Sequence, residues 1–225
     1  MNDLALRIRA NLGQKLLLSA ALTVSVWGGY LLIQRFPFRP VTVVQPSRLD
    51  RLIPFMPGAV YLYESIWLLM PVAPWLMTSA DELKRYTRGL VAICLAGFTV
   101  FLLFPTSLPR PKCPPDVNLL YATLVHVDSE LNALPSLHSA FAVFHGLCCQ
   151  AVFSSGRWSG RIRCLVWIWV LGIIISTFLT KQHVLLDAAA GALLGVACHC
   201  LFSRRAGNPR HAPHTHEYIR RRNRS

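Results

Sequence analysis

Hydrophobic residues along the chain form six long runs separated by charged or turn-forming residues. Three runs contain no Asp, Glu, Lys, Arg or His, and they cover residues 16–34, 89–109 and 164–180. The other three contain only isolated polar residues, and they cover residues 59–78, 136–155 and 184–203. A helix needs about 20 apolar residues to cross a bilayer. The pattern therefore predicts six transmembrane helices.

These runs indicate an all-α fold, a polytopic bundle of membrane helices formed by one domain over residues 1–203. The first run is longer than the core of a signal peptide and lacks a convincing small-residue cleavage site, so we expect a retained helix. No internal repeat or linker interrupts the rest. Residues 204–225 are polar and basic, and we expect them to form a disordered cytoplasmic tail.

Composition supports a membrane protein. The 225 residues are 53% apolar and only 15% charged, with a mean hydropathy of +0.42. In a soluble domain about 25% of residues are charged. These values exclude a disordered chain, a collagen-like chain and a disulfide-rich secreted module.

The positive charge of the chain follows membrane topology. Lys and Arg outnumber Asp and Glu by 23 to 10, a balance found in proteins that bind nucleic acid or an anionic membrane surface. Sixteen basic residues fall in the N-terminus, alternate loops and the tail. Seven fall on the opposite side: Arg35, Arg39, Arg48, Arg51, Arg110, Lys112 and Lys181. Because basic residues are retained on the cytoplasmic side, both termini are predicted to be cytoplasmic, and no nucleic-acid partner is expected.

The cysteines and the histidines of the tail give little support for a metal site. No CxxC pair occurs among the seven cysteines, and six fall within or beside apolar runs, where free thiols pack as small apolar residues. His211, His214 and His216 form only a weak metal-binding pattern. These residues therefore do not predict a metal site in the tail or among the cysteines.

Four ionisable residues are predicted to meet at the outer ends of the helices. Arg110 closes the third run between two prolines, and His138 opens the fourth. His183 and Asp187 open the sixth run, and their separation of four residues places them on one helix face. Ionisable groups at the edge of a membrane span are costly, so they are candidates for function.

The chemistry of these side chains suits phosphoryl transfer. An imidazole beside a carboxylate is a good nucleophile or base, because the acid fixes its tautomer and stabilises the imidazolium form. A second imidazole can donate a proton to a leaving alkoxide. Arg, Lys and the N–H groups of a helix N-terminus supply the charge and donors that a phosphoryl group requires.

Three further polar residues have less decisive interpretations. His145 lies two turns from His138 and either extends the site or packs between helices. Glu64 either lines a lipid cavity or makes a hydrogen bond between helices. Asp128, in the third outer loop, is expected to belong to a solvated face.

Three sequence blocks resemble those of the type-2 phosphatidate phosphatase (PAP2) superfamily of membrane lipid phosphatases and phosphotransferases. Residues 135–138, Pro-Ser-Leu-His, resemble the second family block, Pro-Ser-Gly-His. Ser176, His183 and Asp187 match the third block, which ends in HxxxD, and Arg110 with the following proline matches the end of the first. The motif core then covers about residues 104–195.

The chain departs from the family pattern at two cations. Leu103 stands where the first block usually has Lys, and Thr177 where the third usually has Arg. Lys181 offers a nearby cation. The presence of Lys181 and the sequence Pro-Ser-Leu-His make the chain resemble the branch of the superfamily that contains inositol phosphorylceramide synthases.

The resemblance implies a role for each matched residue. His183 would be the nucleophile, Asp187 its orienting partner and His138 the general acid and base. Arg110, Lys181 and Ser136 would hold the phosphate oxygens. The resemblance also implies a covalent phosphohistidine and no metal cofactor.

Three functions are compatible with these residues. The first is a lipid phosphatase that hydrolyses a phosphate monoester or pyrophosphate, with a lipid phosphate substrate and membrane lipids as its partners. The second is a lipid phosphotransferase that uses an alcohol acceptor, and the third is an inactive membrane protein of the same fold. We expect an integral protein of the plasma (inner) membrane with its site facing the periplasm or another extracytoplasmic space.

Overall fold

The computed structural model describes residues 3–111, 118–154 and 160–203, and the tail at 204–225 lies outside the described residues. Six helices in these ranges are long and apolar enough to cross a membrane. They are Leu12–Arg35, Pro57–Leu76, Ala80–Leu103, Leu137–Ser154, Gly160–Leu179 and Leu185–Phe202. The prediction of an all-α bundle with six spans is therefore confirmed.

Several shorter helices accompany the spans. The helices, in chain order, are α1 (Asp3–Arg9), α2 (Leu12–Arg35), α3 (Arg48–Leu52), α4 (Val60–Glu64), α5 (Ile66–Leu69), α6 (Val72–Leu76), α7 (Ala80–Leu103), α8 (Leu119–Val127), α9 (Leu137–Ser154), α10 (Gly160–Leu179) and α11 (Leu185–Ser203). The second span is broken into a 3₁₀ turn and the three short helices α4 to α6. Pro71 lies at one of these breaks, where its missing N–H interrupts the helical hydrogen bonds.

Helix α9 occupies the centre of the bundle, and most of its side chains are buried against α7, α10 and α11. Glycines allow α11 to approach α9 closely. A Cβ atom on Gly191 would collide with Ser136 O, and one on Gly195 with Ala140 O. Small residues of this kind let membrane helices pack backbone to backbone. The helix that carries His138 and the helix that follows His183 are thus held together tightly.

Helix α7 differs from the prediction at both ends. It begins at Ala80, nine residues before the predicted run, because Ser79 and Glu82 form a capping box around a polar first turn. It ends at Leu103, since Pro105 disfavours helix in the residue before it. Arg110 therefore does not close the span as expected but lies in the loop that follows.

A small polar layer covers the upper end of the bundle, which is defined here as the end where α9 and α11 begin. Strands β1 (Thr42–Val43) and β2 (Thr106–Ser107) pair in parallel, and Leu131 bridges to Ser107. Beneath them Leu108, Ala133 and Val184 form a separate apolar cluster. This cluster packs the loop that follows α7 against the residue next to His183.

The lower end of the bundle, where α9 and α11 finish, is closed by the N-terminal residues. Lys15 is buried, and its ammonium donates to the carbonyl oxygens of Arg7 and Trp75 at 2.7 and 2.8 Å. Asn11 Nδ2 donates to Thr78 O at 2.8 Å. These bonds attach α1 and the start of α2 to the turn between α6 and α7.

Candidate functional site

His183 and Asp187 form a hydrogen-bonded pair where α11 begins. His183 Nδ1 lies 2.9 Å from Asp187 Oδ2. The second carboxylate oxygen, Oδ1, accepts the N–H groups of Val184 and Ala188 at 2.7 and 3.1 Å. Asp187 is fully buried, whereas the His183 side chain retains 12% exposure. The helix N-terminus therefore fixes the carboxylate, and the carboxylate fixes the imidazole.

This contact defines which nitrogen of His183 is reactive. A carboxylate only accepts hydrogen bonds, so Nδ1 carries the proton and Nε2 holds the free electron pair. Within the described part of the chain, no residue makes a hydrogen bond to Nε2. His183 can therefore act as a nucleophile through that atom.

Backbone hydrogen bonds hold the loop that carries His183. Thr177 O accepts the N–H groups of Gln182 and His183 at 3.0 and 3.2 Å. Lys181 takes a left-handed conformation with φ 54°, which reverses the chain just after α10. Tyr121 of α8 donates its hydroxyl to Thr180 O at 3.1 Å. These contacts with α10 and α8 thus hold the main chain of the loop that carries the imidazole.

His138 lies in the first turn of α9 and is oriented by Tyr63. Ser136 Oγ caps this helix by accepting the Ser139 N–H at 3.2 Å. The Tyr63 ring stacks on the imidazole with centroids 3.8 Å apart and planes 11° apart. His138 Nε2 lies 3.2 Å from Tyr63 O. Because a carbonyl only accepts, Nε2 donates there, and Nδ1 remains to exchange a proton.

The two histidines meet at one cavity. Ser136 N donates to Asp187 O at 2.9 Å, which joins the start of α9 to the start of α11. His138 and His183 both line an apolar cleft that also contains Tyr30, Trp67 and other residues of α2, α4, α5 and α8. This arrangement places two imidazoles beside an apolar surface suited to lipid chains.

Arg110 is held by Asp128 and the residue after it. Its guanidinium donates to Asp128 O at 2.6 Å, to Asp128 Oδ2 at 3.1 Å and to Ser129 O at 2.9 Å. Asp128 Oδ1 also accepts from Tyr30 Oη at 2.6 Å and from Gln34 Nε2 at 3.0 Å. The expectation that Asp128 is solvated is wrong, because the fold of the loop turns its side chain inward. Arg110 Nε is buried and has no partner among the described residues.

Lys181 and Asp50 attach helix α3 to the loop of His183. The Lys181 ammonium donates to Asp50 O at 3.0 Å and to Ile53 O. Asp50 Oδ1 accepts the Leu185 N–H at 2.8 Å, and Oδ2 completes a capping box with Ser47. Burial alone would raise the pKa of the Asp50 carboxyl, but the hydrogen bonds from Ser47 and Leu185 and the charge of Lys181 hold it below its usual value.

A second cavity also borders His183. It has a volume of about 520 Å³, and its lining includes Arg51, Arg110, Lys181 and His183. The apolar cleft and this basic cavity thus share His183. The apolar cleft can accommodate lipid chains. The basic cavity, which is open to water, can accommodate an anionic group.

The remaining predicted residues lie in different surroundings. Ser136 is fully buried as the cap of α9. Glu64 lines the apolar cleft and accepts from Trp67 Nε1 at 2.7 Å. His145 is fully buried away from both cavities, where Nδ1 lies 2.7 Å from Phe141 O and Nε2 lies 2.8 Å from the Tyr86 hydroxyl. Over the described ranges, no three His, Cys, Asp or Glu side chains form a group that could hold a metal ion.

Comparison with known proteins agrees with this architecture. A family model described as PAP2 superfamily matches residues 43–201. The chain belongs to the PAP2 superfamily. The matched region contains all of the site residues that the sequence predicted. Among curated proteins, no sequence matches this chain significantly.

A solved structure shares the PAP2 fold of this chain. The crystal structure of Aquifex aeolicus LpxE superposes with a TM-score of 0.51 at 20% sequence identity, covering 71% of this chain and 94% of that one. Membership of the PAP2 superfamily supports a membrane lipid phosphatase in general terms. The two family cations that the chain lacks fall at Leu103, which is exposed at the end of α7, and at Thr177, which is buried in α10.

Sequence reasoning missed Asp50 and Asp128 as parts of this PAP2 site. Asp50 had a local signal, because Ser47 with Asp50 three residues later is the pattern of a capping box at a helix start. Asp128 had none, since its partners Tyr30 and Gln34 lie more than 90 residues away. The orientation of His138 by Tyr63 likewise depends on a contact between distant segments.

Proposed function

We propose that this protein is an integral membrane phosphatase that hydrolyses a lipid phosphate monoester or pyrophosphate through a phosphohistidine at His183. The observation that carries the proposal is the position of His183, which is paired with Asp187 through Nδ1 and lines both cavities. Lipid chains would occupy the apolar cleft, and the phosphate would reach the basic cavity.

The first chemical step transfers the phosphoryl group to the protein. His183 Nε2 attacks phosphorus, the P–N bond forms, and the bond from phosphorus to the leaving oxygen breaks. His138 donates a proton to that oxygen, so the lipid leaves as an alcohol, or as a monophosphate if the substrate is a pyrophosphate. Asp187 stabilises the positive charge on the His183 imidazole.

The second step returns the enzyme to its starting state. His138, now neutral, takes a proton from water as the water oxygen attacks phosphorus, and the P–N bond breaks to release inorganic phosphate. Free N–H groups of Arg110 and Lys181 would contact the phosphate oxygens, and Ser136 would support the helix end beside them. These cations would balance the phosphate charge without a metal ion.

The phosphotransferase alternative has one observation in its favour. The basic cavity of about 520 Å³ is much larger than the roughly 10–15 Å³ that a cavity needs to hold one water molecule. A polar alcohol could therefore reach His183 and accept the phosphoryl group instead of water. Hydrolysis remains the first proposal because it needs no second substrate.

A labelling experiment tests the mechanism. Brief reaction of the purified chain with a ³²P-labelled lipid phosphate should leave acid-labile, base-stable label on the protein. His183→Ala should carry no label, and the matched control His145→Ala, if it folds, should keep it. A folded His183→Ala protein with wild-type label, or loss of wild-type activity in chelator with recovery in Mg²⁺, would overturn the proposal. Release of phosphate with and without candidate acceptor alcohols separates hydrolysis from transfer.

We also propose that the upper end of the bundle faces the extracytoplasmic side of a plasma membrane. Sixteen of the 23 basic residues lie in segments assigned to the opposite side, which supports this orientation. Single cysteines at Arg39 and Arg161 in a cysteine-free background should react with a membrane-impermeant reagent on opposite sides of sealed cells. Labelling of the Arg161 site from outside would reverse the orientation.

A further inference from the structure

The basic cavity beside His183 contains three cations, two of which already use much of their donor capacity on the protein. Arg110 gives three N–H groups to Asp128 and Ser129, and Lys181 gives two of its three to carbonyl oxygens of the α3 segment. A phosphoryl group has three non-bridging oxygens, each of which accepts more than one hydrogen bond. Arg110 and Lys181 together therefore have few free N–H groups left to donate to a phosphoryl group.

Arg51 is the third cation in the lining of this cavity, and its side chain is exposed. Among the residues that the structure describes, none makes an ion pair or hydrogen bond with its guanidinium. All five of its donors are therefore open to a ligand, in a planar arrangement that matches two oxygens of a phosphate.

The position of Arg51 is coupled to that of His183. Arg51 belongs to α3, and the preceding residue Asp50 accepts from Leu185 N and from the Lys181 ammonium through two different oxygens. Ile53, two residues later, accepts from Lys181 as well. Helix α3 is thus fixed to both sides of His183, so Arg51 is presented to the cavity by a docked helix.

We propose that Arg51 is a substrate-binding residue that contacts the anionic phosphate oxygens of the substrate in this cavity. The inference rests on the proposed function for the identity of the natural substrate. The anion site itself is testable with inorganic phosphate alone. Arg51 supplies the unpaired guanidinium that Arg110, held by Asp128, does not provide.

Arg48 provides a matched control on the same helix. It lies one turn earlier, is also exposed, and does not line the cavity. Arg48→Gln and Arg51→Gln remove the same charge from the same segment. A general effect of positive charge would weaken both variants equally, whereas a direct contact affects only Arg51→Gln.

Phosphate binding tests the proposal on the full chain in lipid nanodiscs. Inorganic phosphate is titrated at constant ionic strength with NaCl, and the rise in the unfolding temperature gives an apparent Kd. We expect Arg51→Gln to weaken phosphate binding about 10-fold, Arg51→Lys to lie between it and the wild type, and Arg48→Gln to stay within about twofold. Equal unfolding temperatures without phosphate show that the variants are folded.

Two results would overturn the assignment of Arg51. One is a wild-type chain whose unfolding temperature does not respond to phosphate beyond the NaCl control. The other is equal weakening in the Arg48→Gln and Arg51→Gln variants. If Arg51→Gln is not folded, the comparison of Arg51→Lys with Arg48→Lys gives the same decision, because both keep the charge and lose the guanidinium fork.

Activity measurements keep this inference separate from the proposed function. If the wild type neither hydrolyses lipid phosphates nor takes up label at His183, yet phosphate binding depends on Arg51, the function fails and the anion site stands. If hydrolysis is present and Arg51→Gln matches Arg48→Gln in phosphate Kd and in KM, the function stands and the role of Arg51 fails. A KM that is raised in Arg51→Gln but not in Arg48→Gln supports both the proposed function and the role of Arg51.

Discussion

The lower half and the upper end of the helix bundle both bury polar side chains, but these side chains have different hydrogen-bond partners in the two regions. At the lower half, His145 has a partner on each ring nitrogen, and the Lys15 ammonium donates to two carbonyl oxygens. At the upper end, His183 is bonded through Nδ1, while Nε2 has no partner among the described residues. The same residue types are therefore structural in the lower half and candidates for chemistry at the upper end.

Helix α9 contains this contrast within two turns. His138 and His145 are separated by seven residues and lie on the same side of the helix. His138 lines a cavity, whereas His145 is enclosed by Phe141, Phe144 and Tyr86. What distinguishes His138 as a candidate for function is thus its place at a cavity, and spacing along the helix does not decide it.

The largest effect is expected from Asp187→Asn at the upper end. Two helix N–H groups bind Oδ1, so the amide oxygen of Asn should take that position and its NH₂ group should face His183. His183 must then accept at Nδ1 and carry its proton on Nε2, which blocks the nucleophile. We expect turnover to fall about 10²- to 10⁴-fold. Steady-state release of phosphate and the level of trapped label measure it, and near-normal label would contradict the assignment.

A smaller loss of activity is expected from Asp128→Asn. The amide keeps an acceptor for Tyr30 and Gln34 but loses the charge that holds Arg110, so the guanidinium becomes less well placed. We expect turnover to fall about 10-fold, in line with one weakened charge-assisted hydrogen bond. Glu130→Gln is the control, because Glu130 is exposed and its carboxylate, among the described residues, accepts from the Arg110 backbone N–H and makes no hydrogen bond to the guanidinium. Equal losses in both variants would remove Asp128 from its positioning role.

At the lower half of the bundle, His145→Leu should change stability and leave turnover intact. It leaves the buried Tyr86 hydroxyl without its His145 partner, at a cost of about 1–3 kcal/mol in the free energy of unfolding. Adding Tyr86→Phe should recover part of that loss. Denaturation in mild detergent measures the first effect, and kcat per folded molecule the second. A selective fall in kcat would show that His145 takes part in the chemistry.

The smallest effect concerns Asp50 and pH. Its pKa is held below the usual value by the Ser47 and Leu185 hydrogen bonds and Lys181, although burial opposes this. The ionised carboxylate therefore contributes stability that is complete above about pH 4 and is lost as the pH falls through the lower folded-state pKa. The unfolding temperature of the wild type should decline in that range, and Asp50→Asn should flatten the decline. Parallel curves for both proteins would exclude Asp50 as the source.

Much of the fold was predictable because membrane helices satisfy their own backbone hydrogen bonds. Such helices therefore appear in the sequence as long apolar runs. The pairing of His183 with Asp187 was predictable because the two residues are only four positions apart, although His183 lies just before α11 and not on the helix face that the sequence predicted. The ends of α7 and the break at Pro71 depended on capping and proline geometry, which the hydrophobic runs do not show. The burial of Asp128 was the hardest feature to predict, because it results from contacts between distant segments.

The close contact between α9 and α11 has a consequence for biogenesis. Ser136 N donates to Asp187 O, and Gly191 lies directly against Ser136. His138 enters the membrane with the fourth span, whereas His183 and Asp187 arrive with the sixth. A nascent chain released after five spans therefore contains His138 but lacks the His183–Asp187 pair. If His183 is the nucleophile, as proposed above, such incomplete translation products cannot attack phosphate esters in the surrounding bilayer.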